Sequence, residues 1–386
     1  MLLDGTEVNN DNNLPPSGPS GGMFGAETIR EFVVKSNGFG AAYGRALGGV
    51  VNAVTKSGTN AVHGSLFEFL RNDALDARRY FDAAKPPFHR NQFGGSVGGP
   101  IRRDKTFFFG GYEGLRQSRT NSSLTFVPDA NLSRGIYPGV SASQIVPVML
   151  DYLAQYPLPN GPQVAPGIAQ HTFAAKSTAQ DDVATARIDH QLSPNDSLFG
   201  RMTYSNSDTN DELLGGFESI LGMRSRLLTL SETHIFSPRV LNTFRAGFNR
   251  IDPVTSGKYP NWPAHLYSTP ELKVPPIINP SGGGLTPLQG AGQPHGEIAT
   301  NRFEYIDDVN FSFGEHTLQL GGNYQRAQHN FDYPNFPMGQ WMFSSIPSFL
   351  AAQPTSFRGT PSRLGDLTST IGTASREIQF GVKLLF

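Results

Sequence analysis

The chain has 386 residues, and Gly (43) and Pro (29) together make up nearly a fifth of it, against roughly 12 % in an average protein. Charged residues are only 16 % and nearly balanced, at a net charge of −1. Helices disfavour Gly and Pro and phosphate binding needs a basic surplus, so a helical bundle, a coiled coil and a nucleic-acid partner are excluded.

Cysteine is absent, which removes a disulfide scaffold, a thiolate zinc site and a cysteine nucleophile. Aromatic residues reach 11 %, with 28 Phe, too many for a disordered chain. No run of about 18 apolar residues exists and the mean hydropathy is −0.31, so no transmembrane helix is expected. A transmembrane β-barrel remains open, because its strands alternate lipid-facing with lumen-facing residues and keep the average low. The opening MLLDGTEVNN has neither the basic nor the apolar region of a signal peptide, so none is expected in this sequence.

Asn9–Gly22 reads as a loop, being Asn, Pro, Ser and Gly nearly throughout. ETIREFVVKS (Glu27–Ser36) reads as a short helical turn passing into a strand around Phe32–Val34. The small-residue stretch GFGAAYGRALGG then leads to VVNAVTK (Val50–Lys56), a β-branched strand ended by SGTN. Together these predict a small mixed α/β unit, too short for a large core of its own.

From His63 onward the period becomes two. Ser65–Arg71, Gln92–Ile101 and Thr106–Gln117 are strand candidates. Val183–Leu192 and Ser197–Ser205 flank the turn Ser193–Pro194–Asn195–Asp196. In the second of these, Phe199, Arg201, Thr203 and Ser205 share one face, and Leu198, Gly200, Met202 and Tyr204 the other. Leu227–Phe236 with Leu241–Ile251, and Phe303–Phe313 with His316–Arg326, repeat the hairpin; Tyr305, Asp307, Val309, Phe311 and Phe313 share a face. Long Pro- and Gly-rich connections are read at 127–179, 252–300 and 330–364. Structureless loops of roughly 35 to 50 residues are rare in compact soluble domains. They suit an outer-membrane barrel, with short turns on the periplasmic side and long loops outside. The last residues, REIQFGVKLLF, put Ile378, Phe380, Val382, Leu384 and Phe386 on one apolar face, opposite Glu377, Gln379, Gly381 and Lys383.

AYGRALGGVVNAVTKSGTN, within residues 27–60, resembles the carboxy-terminal half of the plug domain of TonB-dependent outer-membrane receptors. HGSLFEFLRNDALDAR and NQFGGSVGGPIRRDKTFFFGGYEGLR resemble the first barrel strands of the Oar-like branch of that family, which usually carries a carboxypeptidase-regulatory-like domain ahead of the plug. REIQFGVKLLF resembles the last strand of such barrels, whose terminal aromatic, here Phe386, is read by the barrel-assembly machinery. The resemblance spans nearly the whole chain, with its specific motifs in 27–117 and 364–386. It implies a mostly β fold: residues 1–62 a partial plug, residues 63–386 an incomplete antiparallel transmembrane β-barrel with the closing strand at 376–386. It further implies an outer-membrane location, contact with lipid, and import of an unidentified ligand powered by the inner-membrane proton gradient through TonB.

Two departures follow. The sequence starts within the plug, without signal, TonB box or first plug half, and about ten strand candidates stand against about 22 in plugged transporters. The closing strand arrives abruptly after Gln340, which points to an internal deletion or gene-model splice near Arg358–Leu364. The expectation is therefore a fragment that does not transport alone. The alternatives are an adhesion or binding barrel without energy coupling, and a soluble secreted β-rich binding protein.

Other motifs have plainer readings. Gly38–Gly44 resembles a dinucleotide loop, but its third glycine is one place late and no βαβ unit follows. The G-x-S-x-G matches at Gly18–Gly22 and Gly94–Gly98 lack the strand–turn–helix context of a nucleophile elbow. The nine His are dispersed, and His63, His190, His234 and His316 read as strand-end or turn residues. Asp4, Glu7 and Asp11 offer oxygen ligands for a hard cation, against an Asn-rich loop bonding its own backbone. No catalytic residue, cofactor or metal site is expected. Tyr259, Trp262, Tyr267, Phe336 and Trp341 read as loop self-packing or an interfacial girdle rather than ligand stacking, and Arg187, Arg201 and Arg245 as lumen-lining groups within reach of the plug.

Overall fold

The computed structural model describes residues 1–9, 17–18, 24–36, 49–77, 85–267, 273–288, 295–332, 339–358 and 373–385, of which 295–298, 331–332 and 373–385 are described as backbone alone. Two sheets dominate. The first is small and amino-terminal: β1 (Leu2–Leu3), β2 (Thr6–Glu7), β3 (Ile29–Lys35) and β4 (Val50–Thr55), in the order β2-β1-β4-β3. β1 and β4 run parallel, and the other pairs antiparallel. The helical turn read at Glu27 is one 3-10 turn, Ala26–Thr28. The dinucleotide-like Gly38–Gly44 and Asp11 lie outside the described residues.

The second sheet is an antiparallel meander. Its strands are β5 (His63–Asn72), β6 (Phe88–Arg102), β7 (Thr106–Pro128), β8 (Gln163–Ala165), β9 (Ile168–Ser193), β10 (Asp196–Glu212), β11 (Glu218–Ser237) and β12 (Val240–Lys258). After β13 (Ile277–Asn279) come β14 (His295–Phe313) and β15 (His316–Asp332). β16 (Gln340–Met342) and β17 (Ser356–Arg358) precede β18 (Thr373–Leu385). The path runs β18-β15-β14-β12-β11-β10-β9-β7-β6-β5, with the short β8 added on β9. Each long strand pairs with its sequence neighbours, the pattern that a chain of hairpins produces.

β18 pairs with β15, placing Ile378 opposite Tyr324 and Leu384 opposite Leu318. Among the described residues it does not close onto β5, so the sheet keeps two unpaired edges. The strand read as the closing one lies at the far edge of an open wall of ten long strands. Phe386 itself lies outside the described residues.

Two-residue turns join β9 to β10, β11 to β12 and β14 to β15, all at one end. All the long connections leave the other end. The strands run further into them than the sequence suggests. Residues 127–128 and 168–179 are strand, as are 252–258, 295–300 and 330–332. Stretches such as NSSLTF and TFAAKSTAQ lack strong alternation because they rise past the bilayer, where neither face meets lipid. A spanning strand needs only about 9–11 residues, and β9 has 26.

Burial along the strands is inverted relative to a soluble sheet. Thr203, Ser205, Ser207, Ser225, Thr229 and Ser231 are buried, while Leu198, Met202, Leu228, Leu230, Phe244 and Phe313 are exposed. An apolar outer face around a polar interior is what lipid on one side and a hydrated lumen on the other select. No helix among the described residues is long and apolar enough to cross a membrane.

The largest apolar core sits outside this wall, among the long connections. Leu132, Met149, Leu153 and Tyr156 from the β7–β8 connection meet Ile278, Leu285 and Leu288 from the β12–β14 connection, and Phe343, Ile346, Phe349 and Leu350 after β15. Two short helices carry part of it, α1 (Pro147–Leu153) and α2 (Ile346–Leu350). Each has Pro in its first turn, where the missing N–H costs nothing. Ser345 caps α2, its Oγ accepting from Ser348 N at 3.2 Å. β13 pairs parallel with β16, and β16 antiparallel with β17. The three connections thus form one cap over the long-loop end.

Phe349 is fully buried and meets Phe343 edge-on at 5.2 Å. Phe349→Ala is expected to destabilise the cap by about 3–5 kcal/mol. Limited proteolysis checks this: cleavage within 129–167 accelerates, while the wall strands stay protected.

Candidate functional site

The small sheet meets the lumen wall through its first hairpin. Asp4 and Gly5 are the two loop residues between β1 and β2, with φ of 49° and 80°. Asp-Gly suits such a turn, because both positions need positive φ. The turn points the Asp4 carboxylate at the wall. Arg201 Nε lies 2.8 Å from Asp4 Oδ2, and Arg187 Nη1 lies 3.4 Å from Asp4 Oδ1. Thr55 of β4 completes the carboxylate shell, its N–H and Oγ1 donating at 2.9 and 2.8 Å.

The two arginines differ in surroundings. Arg201 is 1 % exposed, the largest fully buried side chain among the described residues. It donates to Thr203 Oγ1, Thr229 Oγ1 and Leu3 O. Arg187 is shared between Asp4 and Asp189, the latter at 2.7 Å, and its guanidinium covers the Phe199 ring at 4.1 Å. A buried charge is tolerated only when paired and hydrogen-bonded, and both are.

A second contact lies along β2. Glu7 N donates to Glu304 Oε2 at 2.8 Å, and Arg302 approaches Glu7 Oε2 at 3.5 Å while donating to Asn9 O at 2.6 Å. Gln325 donates to Glu304 Oε1 and to Glu7 Oε2 at 2.7 and 3.4 Å. Thr6 Oγ1 and Thr229 Oγ1 are 2.9 Å apart. A third contact sits at the 3-10 turn, where Ala26 N donates to Glu113 Oε2 at 2.8 Å, and Glu27 reaches Lys56 and Ser65 at 3.1 and 3.0 Å. Those two hydrogen bonds hold the Glu27 carboxyl below the usual carboxylate range.

Most residues singled out in the sequence are accounted for. Arg187 and Arg201 contact the small sheet; Arg245 pairs with Asp308 at 2.8 Å and lies close against Gly5. The carboxylates of Asp4 and Glu7 have guanidinium partners, which leaves them no need of a metal cation. Gly94–Gly98 lies within β6, with no nucleophile elbow. His190 meets Thr106 at 2.8 Å across β7 and β9. His234 is bonded to Asp196, and with Glu232 these form the one group of three possible metal ligands among the described residues, on the outward face by the short turns. Sequence reasoning missed Arg302 and Glu304, and the Asp4–Gly5 hairpin, whose D-G signal was visible between LL and TE.

The loop aromatics pack on one another. Trp262 lies 5.5 Å from Phe217 and 6.2 Å from Tyr152; Tyr259 lies 5.9 Å from Phe217; Leu266 and Tyr267 complete the cluster. Trp341 stacks near Phe357 at 4.5 Å. Phe336 lies outside the described residues.

An apolar belt over a polar interior, a meander with all its short turns at one end, and a small sheet held against that interior define the architecture. The outer membrane beta barrel domain matches residues 54–379. The chain belongs to that family. Its place is therefore the outer membrane. The TonB-dependent transporter Oar of Myxococcus xanthus is 30 % identical over 119 residues, which is 29 % of this chain and 11 % of that protein. The crystal structure of the outer membrane transporter YddB from Escherichia coli superposes with a TM-score of 0.56 at 13 % identity, covering 100 % of this chain and 46 % of that one. The chain thus spans less than half the length of either relative. The barrel family's fold explains why the lumen is polar.

Removing Arg201 leaves Asp4 buried beside a single, more distant cation. Arg201→Ala is expected to weaken the seating of the small sheet by roughly 3–5 kcal/mol. Hydrogen exchange reads this as lost protection in β1 and β4 with β9–β11 unchanged. A pH effect is expected in the cap: burial, aided by nearby Tyr267, pushes the Tyr259 phenol up to about 12, whereas an unfolded tyrosine ionises near about 10. The folded cap holds this proton more tightly, so its stability is intact below pH ~10 and falls as pH rises toward 12. Absorbance at 295 nm with Trp262 fluorescence checks it; ionisation of every tyrosine near pH ~10 would contradict it.

Proposed function

We propose that this chain is the plug-bearing part of an outer-membrane receptor wall that serves uptake of a ligand through TonB-coupled plug movement. Residues 1–62 act as the plug and residues 63–386 as the wall and its cap. The observation that carries this reading is the chemistry of the plug contact. Its bonds to the wall are ion pairs and hydrogen bonds from Asp4, Thr6, Glu7 and Ala26, rather than an interdigitated apolar core. Water can replace such bonds as they break, so a plug held this way can be withdrawn and reseated. The Oar and YddB relatives, both described as transporters, support the direction of the reading.

Ten long strands with two unpaired edges do not enclose a lumen, and plugged transporters use about 22. We therefore infer that the chain is incomplete as a pore and does not transport alone. Lipid, the barrel-assembly machinery reading Phe386, TonB acting on the complete receptor, and a siderophore, oligosaccharide or peptide ligand are the partners this reading implies. Binding and gating, not catalysis, are its work.

Fractionation and uptake test it. The expected outcome is heat-modifiable migration in the outer-membrane fraction, with no TonB-dependent uptake of labelled ferric siderophore, oligosaccharide or peptide by cells carrying this chain alone. A soluble monomer would overturn the membrane reading, and uptake by the chain alone would overturn its incompleteness.

A further inference from the structure

The outward face carries a cationic cluster that the plug and the lumen do not use. Along the wall an aromatic row marks one level of this face: Phe93 and Tyr112 at 6.2 Å, Phe248 and Phe303 at 5.1 Å, and Tyr305 and Tyr324 at 6.3 Å. Aromatic girdles of this kind sit at the membrane–water interface. From the short turn, β12 takes nine residues, Val240–Phe248, to reach it, close to the roughly 9–11 that span a bilayer. The next outward positions toward the long loops are arginines. Arg250 follows Phe248 on β12, Arg226 lies directly across from it on β11, and Arg224 is the next outward residue along β11.

Their surroundings are those of an anion site. Like charges placed directly opposite in a sheet are destabilising, and Arg226 faces Arg250 in register. Two carboxylates border the group: Asp252, across from Arg224 and 3.4 Å from Arg250, and Asp208, over Gly222 at the next outward position past Arg224. Three guanidinium groups and two carboxylates leave the cluster net positive. Arg226 is also held in place: its guanidinium lies 3.5 Å from the Tyr204 ring centroid and donates to Ser205 O, Ser225 O and Asn206 Oδ1 at 3.0, 2.8 and 3.3 Å. Arg250 donates to Asn301 Oδ1 at 3.2 Å. Held guanidinium forks on an aromatic face suit phosphate oxygens. Further round the wall at this level, Arg116 pairs with Asp182 at 2.7 Å and borders a groove of about 450 Å³ that His89, Asn91, Gln180 and Asp208 also line.

We propose that Arg224, Arg226 and Arg250 bind the phosphate of a lipid headgroup in the outer leaflet of the outer membrane. The occupant is a phosphorylated lipid because the cluster sits on the lipid-facing side, one step above the aromatic row. Its net positive charge and held guanidinium forks suit a phosphate group. The site fixes the depth and tilt of the wall in the leaflet. It rests on the membrane placement above, and on nothing about the ligand or TonB.

The test is native mass spectrometry of the chain extracted in mild detergent from outer membranes, presented with lipid A or with lipid A stripped of its phosphates. The wild-type chain is expected to retain lipid A and to lose the stripped form. Arg226→Gln with Arg250→Gln lowers lipid A affinity roughly 30-fold, with heat-modifiable migration unchanged. Arg226→Lys with Arg250→Lys keeps the charge without the fork and restores part of the binding. Equal retention of both lipids, or of lipid A by the Gln variant, overturns the proposal. Displacement by millimolar inorganic phosphate reassigns the cluster to free anion and overturns it as a lipid site. Absence of the wild-type chain from the outer membrane overturns this proposal together with the membrane placement; its presence there with no preference for phosphate overturns this proposal alone.

Discussion

In hydrocarbon, a backbone N–H or C=O with no partner costs several kcal/mol, and the wall is organised around that constraint. Every long strand from β6 to β15 has both sides paired, in continuous antiparallel ladders such as the one from Glu218↔Lys258 to Ser237↔Val240. Full pairing within one chain favours a meander, because a hairpin brings the next strand alongside with a two-residue turn. The meander in turn fixes the polarity of the molecule, with tight turns at one end and long connections at the other. It also fixes the face pattern, since period-two side chains must divide between lipid and lumen. The constraint also exposes what is missing: β5 and β18 each keep an unpaired side, and Leu66 on β5 is 92 % exposed. A wall with two such edges calls for more strands.

The same division explains the electrostatics of the interior. Lipid takes the apolar face, so the lumen face inherits the Thr, Ser, Arg and Glu side chains. A polar lumen offers the small sheet little hydrophobic burial: Leu3, Val8 and Ala53 meet a single buried wall residue, Leu227, with Met1, Phe24 and Ile29 packed alongside. Seating must come from matched charges. The arrangement places acids on the plug, Asp4 and Glu7, and guanidinium groups on the wall, Arg187, Arg201 and Arg302. Because desolvation offsets much of the Coulomb attraction of a buried pair, such a seat specifies position strongly while adding modest net stability.

Much of the wall was legible in the sequence, because period two is a local signal that lipid enforces. Phe303, Tyr305, Val309, Phe311 and Phe313 alternate with mostly polar lumen positions along β14, and the Ser193–Asp196 turn announces its hairpin. Strand ends were less legible: past the aromatic row both faces carry mostly small or polar residues, so Thr172–Thr178 continues the ladder on backbone hydrogen bonds without apolar patterning. The cap was hidden for another reason. Leu132, Leu285 and Phe349 are scattered over three Pro- and Gly-rich connections and form a core only once the wall brings those connections together. The plug seat was half visible. Arg187 and Arg201 stand out as charges on lumen positions, but their partner Asp4 lies almost two hundred residues away, and no local pattern links them.

Glycine completes the seat. A Cβ on Gly111 of β7 would meet Thr28 Cγ2 of the 3-10 turn at 2.6 Å, and one on Gly247 of β12 would meet Thr6 Cγ2 at 3.2 Å. Both face the lumen where the plug comes closest, on opposite flanks of the arginine pair. The wall therefore positions the plug in two ways at once, by charge at its centre and by absent side chains at its sides. Ion pairs alone leave a small sheet free to rock, since a guanidinium tolerates a range of approach angles. Two glycine contacts, one on each flank, remove that freedom by shape. Gly111 and Gly247 are thus, in the folded wall, part of what positions the small sheet.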